Sequence, residues 1–475
     1  MANDAIEAKH SENVSKVAES QGVLLSKLWK EVKDWRTNWT WRIFFKTLFL
    51  GLATSLFDSL TDFNFAWSVP DDCRNSTTDS TSKPFDVVYV SSPCGFLYYK
   101  NVERLTYTFI AYPGFFFALG DHGIRGLIKQ WWRGKTQGRL AGKLGHILAL
   151  ALEVATFIGP LTAAMWSDRW EKYLPQMAPV YDFALQGMAY LSTAMVLGAK
   201  CLGVFSHGPE TKRFVHNATL TETIFEAAMQ LSLLCGVSLT SGNWSTASQL
   251  STVSSVVLIG KVGVENFLGR HHHKLKQASI LSKFFVAVTV FPIFVLSALF
   301  KLSFTSLMKL WGDTIYPVFL GIGLPTLTLY IVRYVVKDLA VSGIGRGVLS
   351  EILVLHLWPK NSHGKRIGLA LAVFFFLLYA IPLPFVIANP EPETFKWTTD
   401  GSLEYIEWVA KLSARVQMAS IVLLIVGTVA FLLTMCLILF EDRWVASIVS
   451  TFPESRNENQ VSYENKIFAK FAKNI

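Results

Sequence analysis

The residues of this chain that can do chemistry are charges set within apolar runs. Asp58 and Asp62 stand four positions apart, so they share a face of any helix that carries them. Glu222, Glu226 and Gln230 repeat that spacing, and Lys261 and Glu265 form an i, i+4 pair of opposite sign. Glu153 and Asp182 stand singly in two further apolar runs. A charge at bilayer depth costs about 3 kcal/mol or more, so such groups pair with one another or line a pathway. Two readings follow. The charges pair across helices and only hold a bundle together, or they form a polar route for an ion, a solute or a lipid headgroup. Pairing suffices for any one residue. The whole set exceeds what pairing needs and favours a route.

Other chemistries find little support. His271-His272-His273 lies among Arg270, Lys274 and Lys276 and reads as a solvated basic run near lipid headgroups rather than a metal site. There is no GxxxxGK[ST] phosphate loop, no HExxH and no nucleophile elbow. No metal, cofactor or covalent catalysis is expected. The net charge of +9 suits basic loops beside a membrane, not nucleic acid.

The elements that must position these charges are membrane helices. Of the 475 residues, 51% are hydrophobic and 17% charged, against roughly 25% charged in soluble domains. Mean hydropathy is +0.35. Apolar stretches near the ~20 residues of a membrane span recur at 43–67, 104–121, 144–166, 178–205, 217–239, 246–267, 284–308, 314–336, 366–389 and 409–440. A further piece, 339–358, is interrupted by Gly343, Gly345 and Gly347 and reads as entering and returning. Residues 1–41 form a polar tail without a signal-peptide core, ending in a Trp-rich amphipathic stretch that suits the headgroup region. Residues 42–442 form the membrane domain and 443–475 a second tail.

Loop charge orients the bundle. Loops 122–143 and 268–283 are basic, and loop 390–408 carries five acids against Lys396. Both termini and the basic loops are therefore expected in the cytosol. Loop 68–103 then lies outside. It holds the acceptor pattern Asn75-Ser76-Thr77 and two cysteines, Cys73 and Cys94, a candidate glycan and a candidate disulfide. Cys201, Cys235 and Cys436 read as core residues. The last residues, with Tyr463, Ile467, Phe468 and Phe471 among Lys466, Lys470 and Lys473, form an amphipathic candidate for a partner or the membrane surface.

Two of the charged rows carry a resemblance. Phe57-Asp58-Ser59-Leu60-Thr61-Asp62-Phe63 resembles the D-x-x-T-D signature in the first helix of the XK-related proteins, the apoptotic phospholipid scramblase family. Glu226-Ala227-Ala228-Met229-Gln230-Leu231-Ser232-Leu233 is similar to that family's E-[ST]-x-P-Q-L-x-L motif, with Met229 in place of Pro and Ala227 in place of Ser or Thr. His146, Pro292 and the Gly-rich piece also fall where the family has them, and the likeness covers about 42–445. It implies an all-α polytopic transmembrane bundle of about eight crossing helices plus two re-entrant ones, built from two similar halves. It also implies energy-independent movement of phospholipids between leaflets of the plasma membrane through a polar intramembrane furrow, exposing phosphatidylserine, with Asp58, Asp62, Glu226 and Gln230 at motif positions. Some family members dock a bridge-like lipid-transfer protein, which makes a non-transporting scaffold the alternative, beside a solute transporter or channel of another family. Some are switched on by caspase cutting of a tail. Here no aspartate follows Asp442, and the N-terminal tail has only Asp4 and Asp34.

Overall fold

The computed structural model describes residues 44–74, 99–118, scattered positions between 148 and 171, 173–241, 245–311, 362–390 and 403–452, apart from a few single positions within them. Every regular element among these is helical. In chain order the α-helices of more than four residues are α1 (Thr54–Arg74), α2 (Tyr99–Ala118), α3 (Ala178–Phe205), α4 (Pro209–Glu222), α5 (Ala228–Ser241), α6 (Thr246–Arg270), α7 (Ile280–Trp311), α8 (Ser362–Ala380), α9 (Pro382–Ala388) and α10 (Leu403–Thr451). A π-helical turn, Leu48–Ala53, leads into α1, and another, Thr223–Ala227, joins α4 to α5.

Among the described residues, six stretches are long and apolar enough to cross a membrane: Pro175–Phe205, Phe214–Leu239, Thr246–Gly269, Ile280–Met308, Gly368–Ala388 and Val409–Thr451. They correspond to six of the ten expected segments. The described parts of segments 43–67 and 104–121 are also helical, chiefly as α1 and α2, but are not among the six. Segment 144–166 is described only at scattered positions, and 314–336 and the Gly-broken 339–358 lie outside the described residues.

The outside of the bundle carries apolar side chains. Phe183, Leu191, Ile425 and Leu432 are exposed, as expected where helices meet lipid rather than water. α10 has 49 residues, which is about 74 Å at 1.5 Å per residue, more than twice the hydrocarbon thickness. Between Arg415 and Glu441 it bears no charge, and charged residues flank that run. The long helix is therefore a spanning middle with polar extensions.

Packing sets α1, α2 and α3 against one another and α7 against α10, with α5 and α6 between the two groups. Small residues allow the close approaches. Gly114 on α2 donates its N–H to Ser192 Oγ on α3 at 2.7 Å, where a Cβ would lie 2.8 Å from Ser192. Gly263 on α6 faces Phe294 on α7, whose ring and Cβ would meet an added Cβ within 3 Å. Ser245 caps α6, accepting from Ser248 N at 3.2 Å. Many Ser and Thr hydroxyls inside the helices donate to the carbonyl one turn back, as Thr106 does to Val102 and Ser420 to Val416. That satisfies them without water.

Candidate functional site

The site begins with two columns of side chains. On α1, Ser55, Asp58 and Asp62 follow at helical spacing, and all three are fully buried. On the continuous helix through α4, the π turn and α5, Glu222, Glu226 and Gln230 do the same. The π turns precede one column and interrupt the other, so both acidic rows sit beside locally widened helix, a feature frequent at functional sites. A third wall comes from α6, where Ser251, Ser254 and Ser255 are buried.

The columns converge. Ligand atoms of Asp58, Asp62 and Glu226 all lie within 4.8 Å of one another. Ser251 donates to Asp62 Oδ1, and Thr61 contacts Ser254 Oγ at 3.0 Å while donating to the Asp58 carbonyl at 2.8 Å. Among the described residues, both carboxylate oxygens of Asp58, Asp62 Oδ2, Glu226 Oε1 and both amide atoms of Gln230 lack a hydrogen bond of ordinary geometry. The buried hydroxyls of Ser254 and Ser255 both face Asp58. One turn away, Lys200 of α3, fully buried, donates to both Ser55 and Glu222.

This arrangement is short of positive charge. Lys200 is committed to Glu222, and three carboxylates remain close together. Two ionised carboxylates about 5 Å apart repel by about 3 kcal/mol at an effective dielectric near 20. Three such pairs rival a whole domain's stability, about 5–15 kcal/mol. Compensation must come from bound protons or a cation. Oxygen atoms spread over less than 4.8 Å fit around a hard divalent ion, since two Ca²⁺–O bonds end to end span about 4.6–5.2 Å. The sequence pattern calls for no metal. The convergence of two helices supplies a donor set that could hold one, with Asp58, Asp62 and Glu226 as ligands and the Ser255 hydroxyl beside them.

The other sequence candidates fall elsewhere. Lys261 is half-buried, with Nζ 3.4 Å from Thr54 Oγ1, close to the start of the α1 column. Glu265 is half-buried and acts electrostatically on His216 of α4. Asp182 belongs to a separate group. It binds Arg104 in a two-pronged contact at 2.5 and 2.8 Å, Glu171 adds a third at 3.0 Å, and Trp170 and Tyr181 stack near the guanidinium. Asp182 is thus a scaffold residue joining α2 to α3. Glu153, Asn75 and Cys94 lie outside the described residues, as does the side chain of Cys73.

Three expectations need correction. The buried rows do not line an open groove: Asp58, Asp62 and Gln230 are wholly enclosed and Glu226 nearly so. His271 is not solvated; it is buried against Phe267, with Nε2 3.3 Å from Glu441 on α10, while His272 is exposed. Cys436 is exposed rather than core.

Sequence reasoning missed Lys200 and Arg104. A lone lysine within the apolar run 178–205 was a readable signal, since a buried ammonium needs a carboxylate. Comparison with known proteins adds no name to this geometry: no protein-family model, no curated protein and no solved structure matches the chain.

Proposed function

We propose that this multi-pass membrane protein passes phospholipids between leaflets, and that its enclosed acidic cluster governs opening of the route. One observation carries the reading. The motif residues Asp58, Asp62 and Glu226, from helices far apart in the chain, meet at one point, with Gln230 one turn on. That is the behaviour expected if the XK-like resemblance reflects a common site. The cluster is too enclosed to be the headgroup path itself. It acts as a latch instead. While its charge is compensated, α1, α5 and α6 stay closed around it; loss of the compensating cation sets three carboxylates against one another and separates the helices.

In this reading the chain resides in the plasma membrane with both termini cytosolic. It has eight crossings and two re-entrant helices, a Cys73–Cys94 disulfide and a glycan at Asn75 on the outer face. Its partners are phospholipids, with a lipid-transfer protein as a possible companion on a cytosolic tail.

The test uses purified full-length protein in liposomes carrying fluorescent lipid, with dithionite added outside. Loss of signal beyond half reports scrambling. Substituting Asp58→Asn with Glu226→Gln removes the need for a cation, and scrambling should then no longer respond to chelator. A double variant that responds like the wild type would remove the latch. A plateau at half under every condition would remove the lipid reading.

The trio of carboxylates favours one second reading, a cation carrier. Cation flux without lipid movement, lost in the same double variant, distinguishes it.

A further inference from the structure

Lys200 and the acidic trio occupy successive rungs of one ladder. Ser55 precedes Asp58 by three residues on α1, and Glu222 precedes Glu226 by four on the α4–α5 helix. Each interval is about one helical turn, about 5 Å of rise. Lys200 bridges the lower rung, donating to Ser55 and Glu222. The upper rung is Asp58, Asp62 and Glu226. The Lys200 charge already acts on Asp58 and on Glu226. A lysine carries its ammonium on a flexible four-carbon stem, so rotation about its own bonds brings the group from one rung to the next with no backbone movement.

The two rungs offer the ammonium different things. The lower gives one carboxylate and one hydroxyl. The upper gives three carboxylates whose oxygens are largely without hydrogen bonds among the described residues. An ammonium resting on the lower rung beside an uncompensated upper rung is not the arrangement of lowest electrostatic energy. It becomes so once a divalent cation fills the upper rung and repels the ammonium downward.

We infer that Lys200 is a tethered competitor for the cation site. With a hard divalent cation on Asp58, Asp62 and Glu226, Lys200 holds Ser55 and Glu222 and ties α3 to α1 and α4. Without it, the ammonium moves up to the trio and releases that tie. The free-ion concentration therefore selects between two states: one in which the ion compensates the trio and Lys200 ties α3 to α1 and α4, and one in which that tie is released and a single ammonium faces three carboxylates, too little charge to keep the latch shut. This rests on the reading that the trio takes a cation. It adds what that reading lacks, a residue that sets the concentration at which the ion binds.

The test titrates Ca²⁺ into the purified full-length protein in detergent and follows thermal unfolding. Wild type should show a saturable stabilisation that Asp58→Asn/Glu226→Gln abolishes. Lys200→Met with Glu222→Gln removes the competitor together with its own partner, leaving no unpaired carboxylate on the lower rung. Against Glu222→Gln alone, which keeps the ammonium without its lower-rung carboxylate, this double variant's apparent Ca²⁺ affinity should rise about tenfold or more, as expected when a nearby positive charge is deleted. Ser55→Ala, a small change that leaves folding intact, weakens the lower rung, favours the raised ammonium and should lower Ca²⁺ affinity. A purely structural Lys200–Glu222 pair would leave the Ser55→Ala affinity unmoved. No rise over Glu222→Gln, together with wild-type affinity in Ser55→Ala, overturns the competitor role while leaving the cation site standing. No Ca²⁺-dependent stabilisation in wild type or any variant overturns the cation site, and the competitor with it.

Discussion

At the scale of single residues, what matters is how much freedom each environment leaves. Gly263 and Gly187 are both helical glycines, yet their surroundings differ. A Cβ at Gly263 would meet Phe294 Cγ at 2.5 Å and Cβ at 2.9 Å, and rotation of the buried side chain does not move its Cβ away. Gly187 on α3 has nothing within 4 Å. Gly263→Ala should therefore lower the melting temperature in detergent, at a cost of about 1–3 kcal/mol typical of overpacking. Gly187→Ala should hold or raise it, by up to about 1 kcal/mol from reduced backbone freedom. Equal melting of the two variants would show that α6 and α7 are not packed so closely.

At the scale of elements, polar ties outside the acidic cluster also hold helix pairs together. The Arg104 group binds α2 to α3 through Asp182 and Glu171. Breaking a buried pair typically costs 3–5 kcal/mol, but Asp182 is 35% exposed, and solvent screening reduces the loss to about 2 kcal/mol. Arg104→Ala should lower the melting temperature accordingly, and adding Asp182→Asn should recover part of the loss. Additive effects of the two substitutions would mean that the residues do not interact. At the other tie, His271 and Lys274 reach Glu441 and Asp442 on α10, joining the end of α6 to the last charged stretch of the long helix. The π turns belong to this scale as well. Each lies beside an acidic row, and nothing in the composition of Leu48–Ala53 or Thr223–Ala227 announces it.

At the scale of the whole molecule, the prediction concerns sidedness. Loop 68–103 is expected outside, so Asn75→Gln should abolish a glycosidase-sensitive shift in gel mobility of protein expressed in a eukaryotic cell. Tags on either terminus should be reached by antibody only after the membrane is permeabilised. A tag stained on intact cells would reverse the orientation and place the basic loops outside. The chelator test of the latch also belongs here, because it reads a coordinated separation of α1, α5 and α6 rather than the loss of one contact.

The sequence by itself determined that this is a helical membrane protein, because apolar runs of spanning length leave no other way to satisfy the backbone in lipid. It also determined that Asp58 and Asp62 share one face, as do Glu222, Glu226 and Gln230, because helical periodicity is a local property. Only the tertiary structure decided which face meets which. The contact between Ser251 and Asp62 spans 189 positions and the bridge from Lys200 to Ser55 spans 145, and no local pattern encodes such pairings. Packing assigned Lys200 to Glu222 and Asp182 to Arg104, enclosed the acidic rows that the resemblance cast as a furrow, and buried one histidine of a run that reads as solvated. A residue's period fixes the direction it faces from its own helix; what it finds there depends on how distant helices fit together.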